Sequence, residues 1–332
     1  MYNATSERQQ TMTKLIIQIP CYNEEDTLAV TLQALPRDLP GVDVVEWMII
    51  DDGSTDRTVQ VAHTNGVDHI VRLPCHQGLA RAFTTGIEAC LAKGANVIVN
   101  TDADNQYVAE DIEHLITPII QDDAEIVVGA RPISKIEHFS LIKKALQKIG
   151  SFVVRRASRT NIPDAPCGFR AYSRNAAMQL HVFNEYTYTL ETIIQAGQKN
   201  MAITWVPIRT NRDLRPSRLI RSIPRYISQS FGTICRIFMT YRPFRFSAVP
   251  GFAALLIGIL IGLRFVHSYL TGHGGGHVQS LILCALLIGT GFFLIVTGLI
   301  ADLIAVNRKL LEKVDWRVQK LEESTRQESI YS

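Results

Sequence analysis

Two carboxylates, Asp102 and Asp104, stand one residue apart in the run Asn100-Thr-Asp-Ala-Asp-Asn-Gln-Tyr107, directly after the apolar stretch Ala95-Asn-Val-Ile-Val99. Like charges at that spacing repel, and a divalent cation between them would offset the repulsion. In an extended segment, residues two apart project to the same side, so Asp102, Asp104 and Gln106 would turn three oxygens toward one centre. A few oxygen donors suit Mg2+ or Mn2+, which keep waters and complete their shell from a substrate's phosphates. The competing reading is that these residues cap a helix beginning near Ala109, where Asp and Asn are favoured. An isolated Asp-x-Asp does not choose between the two.

Two more polar clusters follow apolar runs. Leu15-Ile-Ile-Gln-Ile19 leads into Pro20-Cys-Tyr-Asn-Glu-Glu25, and the run at 45–50 leads into Asp51-Asp-Gly-Ser-Thr-Asp56. The elements that must carry these clusters are legible as strands near 15–19, 45–50, 67–72, 96–100 and 125–129 with helical segments between them, the rhythm of an α/β domain built on a mostly parallel sheet. Ligands bind such sheets outside the carboxyl ends of the strands. Capping needs one residue per helix, so three clusters with repeated acidic pairs at one sheet edge point to a ligand site. Neither Gly-x-x-x-x-Gly-Lys nor Gly-x-Gly-x-x-Gly occurs, so any nucleotide site is of another kind.

The 332 residues carry 34 Lys and Arg against 31 Asp and Glu, a balance that gives no signature of nucleic-acid binding. Six scattered cysteines without a Cys-x-x-Cys pair suggest neither a zinc site nor a disulfide framework. The polar opening through Lys14 does not read as a signal peptide, which leaves the catalytic domain expected in the cytoplasm. Phe246 to Leu263 and Leu281 to Ala301 are uncharged and close to the ~20 residues a transmembrane helix needs. Arg236, Arg242 and Arg245 precede the first span, and Arg308, Lys309 and Lys313 follow the second. The His273-Gly-Gly-Gly-His277 connector has only Arg264 beside it, so both outer ends are expected on the cytoplasmic side.

The set Ile19-Pro-Cys-Tyr-Asn-Glu-Glu25, Asp51-Asp-Gly-Ser-Thr-Asp56, Gly78-Leu-Ala with Gly86, Asp102-Ala-Asp-Asn-Gln106, Gly129-Ala-Arg131 and Gly168-Phe-Arg170 resembles the family 2 glycosyltransferases of GT-A fold, and within them the polyprenyl-phosphate glycosyltransferases. The resemblance covers about residues 14 to 220. It implies that Pro20, Tyr22, Asn23, Glu24, Asp51 and Asp52 hold the base and ribose of a nucleotide sugar. It also implies that Asp102, Asp104 and Gln106 bind Mg2+ or Mn2+ against the donor diphosphate, with Arg212 nearby, and that Arg131 serves the acceptor phosphate. Where family members carry a further Arg pair after Arg131, this chain reads Lys143-Lys-Ala-Leu-Gln-Lys148. Lys143 and Lys144 would hold a phosphate as point charges, without the bidentate fork of arginine. No Gln-x-x-Arg-Trp motif occurs, which argues against a processive polymer synthase.

A phosphate acceptor is already anionic and needs no dedicated base, so leaving-group stabilisation and the holding of two anions together carry the chemistry. Glu191 is a minor candidate should a base be used. A lipid-borne acceptor fits the remaining sequence: Ser140 to Arg159 reads as an interfacial amphipathic helix, and Leu214 to Phe246 holds seven arginines and no acidic residue. The expected organisation is a GT-A catalytic domain at 14–213, basic interfacial helices at 214–245, two transmembrane helices at 246–304 and a cytoplasmic tail at 305–332, in a bacterial inner membrane. Gly258 and Gly262, spaced small-x-x-x-small, offer a contact either for a homo-oligomer or between the two spans of one chain. The competing functions are a family 2 transferase acting on a lipid or glycan hydroxyl, and a catalytically silent scaffold for lipid-linked sugar transport.

Overall fold

The computed structural model describes residues 12–132, 150–152, 154–156, 158–182, 188–211, 243–271 and 278–331, with single helical positions at 232, 236 and 239. Arg212, Lys143, Lys144, the His273–His277 connector and nearly all of the basic segment 214–245 lie outside the described residues. The chain divides into two compact units, Met1–Ile227 and Ser228–Ser332.

The first unit is built on seven strands: β1 (Lys14–Cys21), β2 (Val44–Asp51), β3 (His69–Arg72), β4 (Val97–Asn100), β5 (Ile126–Ala130), β6 (Arg170–Ser173) and β7 (Ile203–Pro207). Their order is β3-β2-β1-β4-β6-β5-β7. All pairings are parallel except those of β6, which runs antiparallel to β4 and β5. The first five strands stand where the apolar runs place them. β1 is central and covered on both faces, and its Leu15, Ile16, Ile17 and Ile19 are fully buried, as a continuous apolar run requires. The chain builds outward from β1 to β3, then returns to lay β4 on the other side of β1. The resulting switch point lies between β1 and β4, where such sheets open a crevice at their carboxyl ends.

Helices α1 (Leu28–Ala34), α2 (Thr58–Thr64), α3 (Leu79–Ala92), α4 (Ile112–Ile120), α5 (Arg174–Gln179) and α6 (Thr189–Gln198) complete this unit. Helix α3 lies close on the sheet because Gly86 has no Cβ: one would run into the Gln18 side chain and lie 2.8 Å from Ile50. Buried Gln18 in turn donates to Asn100 Oδ1 at 2.9 Å and locks β1 to β4 at the switch point. The segment expected to be an interfacial helix is described only at its end. There Ser151, Val154 and Ser158 are buried, while Phe152 on the other side is exposed. Its inner face therefore packs on the domain, with the Ser158 carbonyl against Gly197 of α6.

The described part of the second unit is chiefly a pair of long helices, α7 (Pro243–Leu270) and α8 (Val278–Tyr331). Pro243–Leu270 and Val278–Arg308, with mean hydropathies of 2.2 and 2.4, are long and apolar enough to cross a membrane. They run antiparallel: Gly251 meets Gly291, Gly258 meets Leu287 and Ile288, and Gly262 meets Cys284. The small-x-x-x-small pair is thus used inside the chain, where missing side chains let the two backbones approach. Helix α8 runs on past its apolar portion to Tyr331, so the expected tail at 305–332 begins as a continuation of the second helix.

Candidate active site

The exits of β1 and β2 are sewn together residue by residue. Asp52 N donates to the Cys21 carbonyl at 2.8 Å. Asn23, at φ +54°, donates its N–H to Ser54 Oγ at 2.9 Å and accepts Thr55 N at 2.9 Å. Glu24 N donates to Thr58 Oγ1 at 2.8 Å and Glu25 N to Asp56 Oδ2 at 3.1 Å. The polar residues that read as a ligand cluster therefore first satisfy each other's backbone groups, which a buried edge demands.

Asp51 and Asp52 are both buried. Asp51 accepts Ser54 N at 3.0 Å and Arg72 Nε at 3.1 Å. Asp52 accepts Gln77 N at 2.7 Å and Gly78 N at 2.8 Å, and pairs with His76 Nδ1 at 2.8 Å. The β3–α3 loop is so drawn onto the β2 exit. Gly53 permits the approach, since its φ is +73° and a Cβ would lie 2.6 Å from the carbonyl carbon of Cys75. On the outer side of this junction the Tyr22 ring stacks on His76 with centroids 3.8 Å apart. Pro20 lies half-buried one residue before the end of β1, paired with Ile50.

At the β4 exit the geometry differs from the extended segment expected. The strand ends at Asn100, and residues 101–106 form a turn with Asn105 at φ +53°. Asp104 Oδ1 accepts the N–H of Gln106 at 3.2 Å, the local bond by which an aspartate closes a turn. The turn, and not strand alternation, brings Asp102 and Asp104 close. Their proximity is electrostatically visible: the Asp102 carboxyl is pushed up to about 7, first by loss of hydration and then by the charge of Asp104, while the Tyr107 hydroxyl and Arg131 pull it the other way. Gly168 leaves room for this carboxylate, as a Cβ there would lie 3.3 Å from Asp102 Oδ1. Among the described residues no group of three or more His, Cys, Asp and Glu side chains could hold a metal ion by itself.

Arg131, read as an acceptor-phosphate ligand, is engaged by a residue the sequence did not flag. Its Nε and Nη2 reach the two oxygens of Asp164 at 2.7 and 3.1 Å, and its backbone N–H donates to the same carboxylate at 3.2 Å. Buried Arg170 serves the frame, donating to the carbonyls of Cys167 and Thr189 and to Thr192 Oγ1. Glu191 is buried in the first turn of α6.

A second unflagged feature is the strap formed by residues 208–211. Asn211 N donates to the Gln106 carbonyl at 2.9 Å and its side chain to the Asn105 carbonyl at 2.9 Å. Arg209 is fixed to Asp111 at 2.8 Å and to Glu110 at 2.9 Å. The backbone that leads into position 212 is thereby stitched to the acidic turn. The only sequence signal for this was the Asn-Arg-Asp run itself, since both partners lie about a hundred positions upstream.

This sheet and edge have counterparts of known structure. Glucosyl-3-phosphoglycerate synthase from Mycobacterium tuberculosis, solved with Mn2+, UDP and glucosyl-3-phosphoglycerate, superposes with a TM-score of 0.52 at 18% identity over 68% of this chain and 79% of that chain. The likeness shows the fold, which is of GT-A type. The sequence profile of the Glycosyl transferase family 2 domain matches residues 16–180 of this chain. Its relatives include the undecaprenyl-phosphate mannosyltransferase of Micrococcus luteus, 27% identical over 62% of this chain and 87% of that protein. Another is the UDP-N-acetylglucosamine–dolichyl-phosphate N-acetylglucosaminyltransferase of Methanococcus voltae, 29% identical over 58% of this chain and 83% of that protein.

Proposed function

We propose that this protein transfers a sugar from a UDP- or GDP-linked donor to a polyprenyl phosphate, with inversion at the anomeric carbon, at the cytoplasmic face of a bacterial inner membrane. The observation that carries the reading is the crowded Asp102–Asp104 pair at the switch point of a family 2 domain that is followed in the chain by two membrane-length apolar helices. The names of the relatives, which act on undecaprenyl and dolichyl phosphates, support the acceptor class.

A divalent cation fits this donor set. Two neighbouring carboxylates, one of them raised first by burial and then by the charge of the other, would gain from a shared hard cation, to which Gln106 would add a neutral oxygen. Asp102, Asp104 and Gln106 would hold Mg2+ or Mn2+, which supplies charge neutralisation for the departing diphosphate. The exposed Tyr22–His76 stack supports a place for the base, and Pro20, Asn23, Glu24, Asp51 and Asp52 shape the cleft wall below it. Arg131, held rigid by Asp164, keeps one guanidinium nitrogen outside that pair and would meet the acceptor phosphate through it. Lys143, Lys144 and Arg212 complete the cationic side in this reading.

The test is transfer of radiolabelled sugar from UDP- and GDP-sugars in turn to extracted polyprenyl phosphate, using membranes that contain the full chain. Label in a lipid product that mild acid releases supports the reading. Equal transfer to free polyprenol or to a glycan hydroxyl would give the acceptor to a different class.

A further inference from the structure

The glycine pair of the first apolar helix is consumed inside the hairpin, so any surface for a second chain must lie elsewhere. Helix α8 offers one. From Ile300 its residues Ile304, Asn307, Leu311, Val314, Val318 and Leu321 recur at alternating steps of four and three. Six of these seven positions are apolar, with Asn307 the polar member. A stripe held at a mean step of 3.5 residues over three heptads is the seam of a left-handed coiled coil, since a straight helix would carry a 3.6-residue stripe. At a rise of 1.5 Å per residue the series is about 32 Å long.

Most of this row is exposed. Ile304 is 63% exposed, Leu311 70%, Val314 57%, Val318 45% and Leu321 66%. Ile300, Ile304 and Asn307 fall within the membrane-length segment that ends at Arg308, so the part of the row that favours a partner with a matching row outside the bilayer is Leu311, Val314, Val318 and Leu321.

The flanking charges choose the partner. With Ile304, Leu311 and Val318 at the a positions, Arg317 falls at g and Glu322 at the following e. In a parallel, in-register pair those two positions meet across the seam with opposite charge. The residues from 308 to 328 carry six cations and five carboxylates. That mixed outer face is unlike the cation-rich face with which a helix lies on anionic lipid. Because α8 issues without a break from a membrane-length apolar segment, copies inserted in the same sense would leave the bilayer side by side at the same depth. Parallel orientation and zero stagger follow from that, and the Arg317–Glu322 pairing agrees with them. Asn307 would then face its own counterpart, the arrangement by which one polar seam residue fixes register.

We infer that residues 300–325 of α8 are the docking surface for a second copy of this chain, joined to it as a parallel, in-register coiled coil. The inference is independent of which donor and acceptor the catalytic unit uses.

Site-directed cross-linking of the full chain in reconstituted vesicles tests it, with exposed Cys75 and also Cys235 replaced by Ser in every variant. Val314→Cys and Leu321→Cys stand on the seam, and Glu323→Cys stands on the outer face. Under mild oxidation the seam variants should form disulfide-linked dimers, and the outer variant should stay at background. In detergent, Leu311→Asp with Val318→Asp should reduce the oligomer measured by light scattering to a monomer. Equal cross-linking at all three positions, or an oligomer unchanged by the double substitution, would overturn the inference. So would a monomeric native chain whose seam is labelled by a lipid-borne photoprobe, since the membrane surface would then be the occupant.

Discussion

Asp164 is the most informative residue to perturb, because it holds Arg131 through three bonds while being almost completely buried. The side chains of Arg131 and Asp164 are 9% and 1% exposed, and the carboxylate accepts Nε, Nη2 and the backbone N–H of residue 131. Asp164→Asn keeps the shape, removes the charge and turns a donor toward a donor. Removing one partner of a buried pair costs about 3–5 kcal/mol, chiefly because the other charge is left uncompensated. For a domain of this size about 2–4 °C of melting temperature corresponds to 1 kcal/mol, so the expected fall is roughly 6–20 °C. Tryptophan fluorescence of the full chain in detergent reads it, since Trp47 and Trp205 both report on the first unit. Adding Arg131→Met removes the stranded cation, and the double variant should melt above Asp164→Asn alone, a coupling of the kind double-mutant cycles measure. The same double variant should still fail to transfer sugar at low acceptor concentration. A single variant within about 1 kcal/mol of the native melt, or a double variant lower by the sum of the two singles, would refute the argument from burial. Native transfer by a stably folded double variant would remove Arg131 from the acceptor site.

Three further outcomes are expected. Excess chelator should abolish transfer and Mg2+ or Mn2+ restore it, and Asp104→Asn should lower activity by orders of magnitude with little change in melting; a native turnover rate would return the turn to a structural role. Glu46 is held below the usual glutamate range: burial opposes this, but hydrogen bonds from Lys14 and His69 outweigh it. Its contribution is therefore complete above the ordinary glutamate pKa and lost as pH falls through the lowered one, so Glu46→Gln should flatten the acid limb of a melting-temperature profile, and an unchanged limb would count against the pair. Gly168→Ala would set a methyl 2.9 Å from the Tyr188 hydroxyl and 3.3 Å from Asp102 Oδ1, beside a ring stacked flat on Phe83. Overpacking of this kind costs about 1–3 kcal/mol, and donor affinity, measured calorimetrically, should fall with it.

How far the sequence reaches is clearest strand by strand. β1, β2 and β4 are runs of branched apolar residues ending in polar clusters, and parallel central strands leave that trace because both faces are covered. β6 left none: Arg170-Ala-Tyr-Ser is four residues long and carries a buried arginine whose partners include the carbonyls of Cys167, just before the strand, and of Thr189, at the start of α6. β7 has the alternation of an edge strand but only five residues. The 101–106 turn was legible in principle, since an Asp–Asn cluster after a strand favours a left-handed residue such as Asn105 over continued extension. The long C-terminal helix hid behind its change of composition, because its seam repeats at 3.5 residues in a segment otherwise full of charge.

What no local pattern supplies is which carboxylates are already satisfied. Asp51 has Arg72, Asp52 has His76 and two backbone amides, Asp111 has Arg209, and Asp164 has Arg131; all four side-chain partners stand more than twenty residues away in sequence, and so do both amides. In sequence all these aspartates look equally available to a ligand. In the fold they separate, because a buried carboxylate with a cation or two amides has its charge answered. Asp102 and Asp104 do not reach that condition. Among the described residues no cation hydrogen-bonds to either, and the charge of Asp104 adds to burial in raising the Asp102 carboxyl. The site therefore concentrates its uncompensated negative charge at one point on the sheet edge. A protein that left such a charge without use would lose stability for nothing, whereas one that recruits a cation together with its diphosphate substrate gains a binding step that is complete only when both are present.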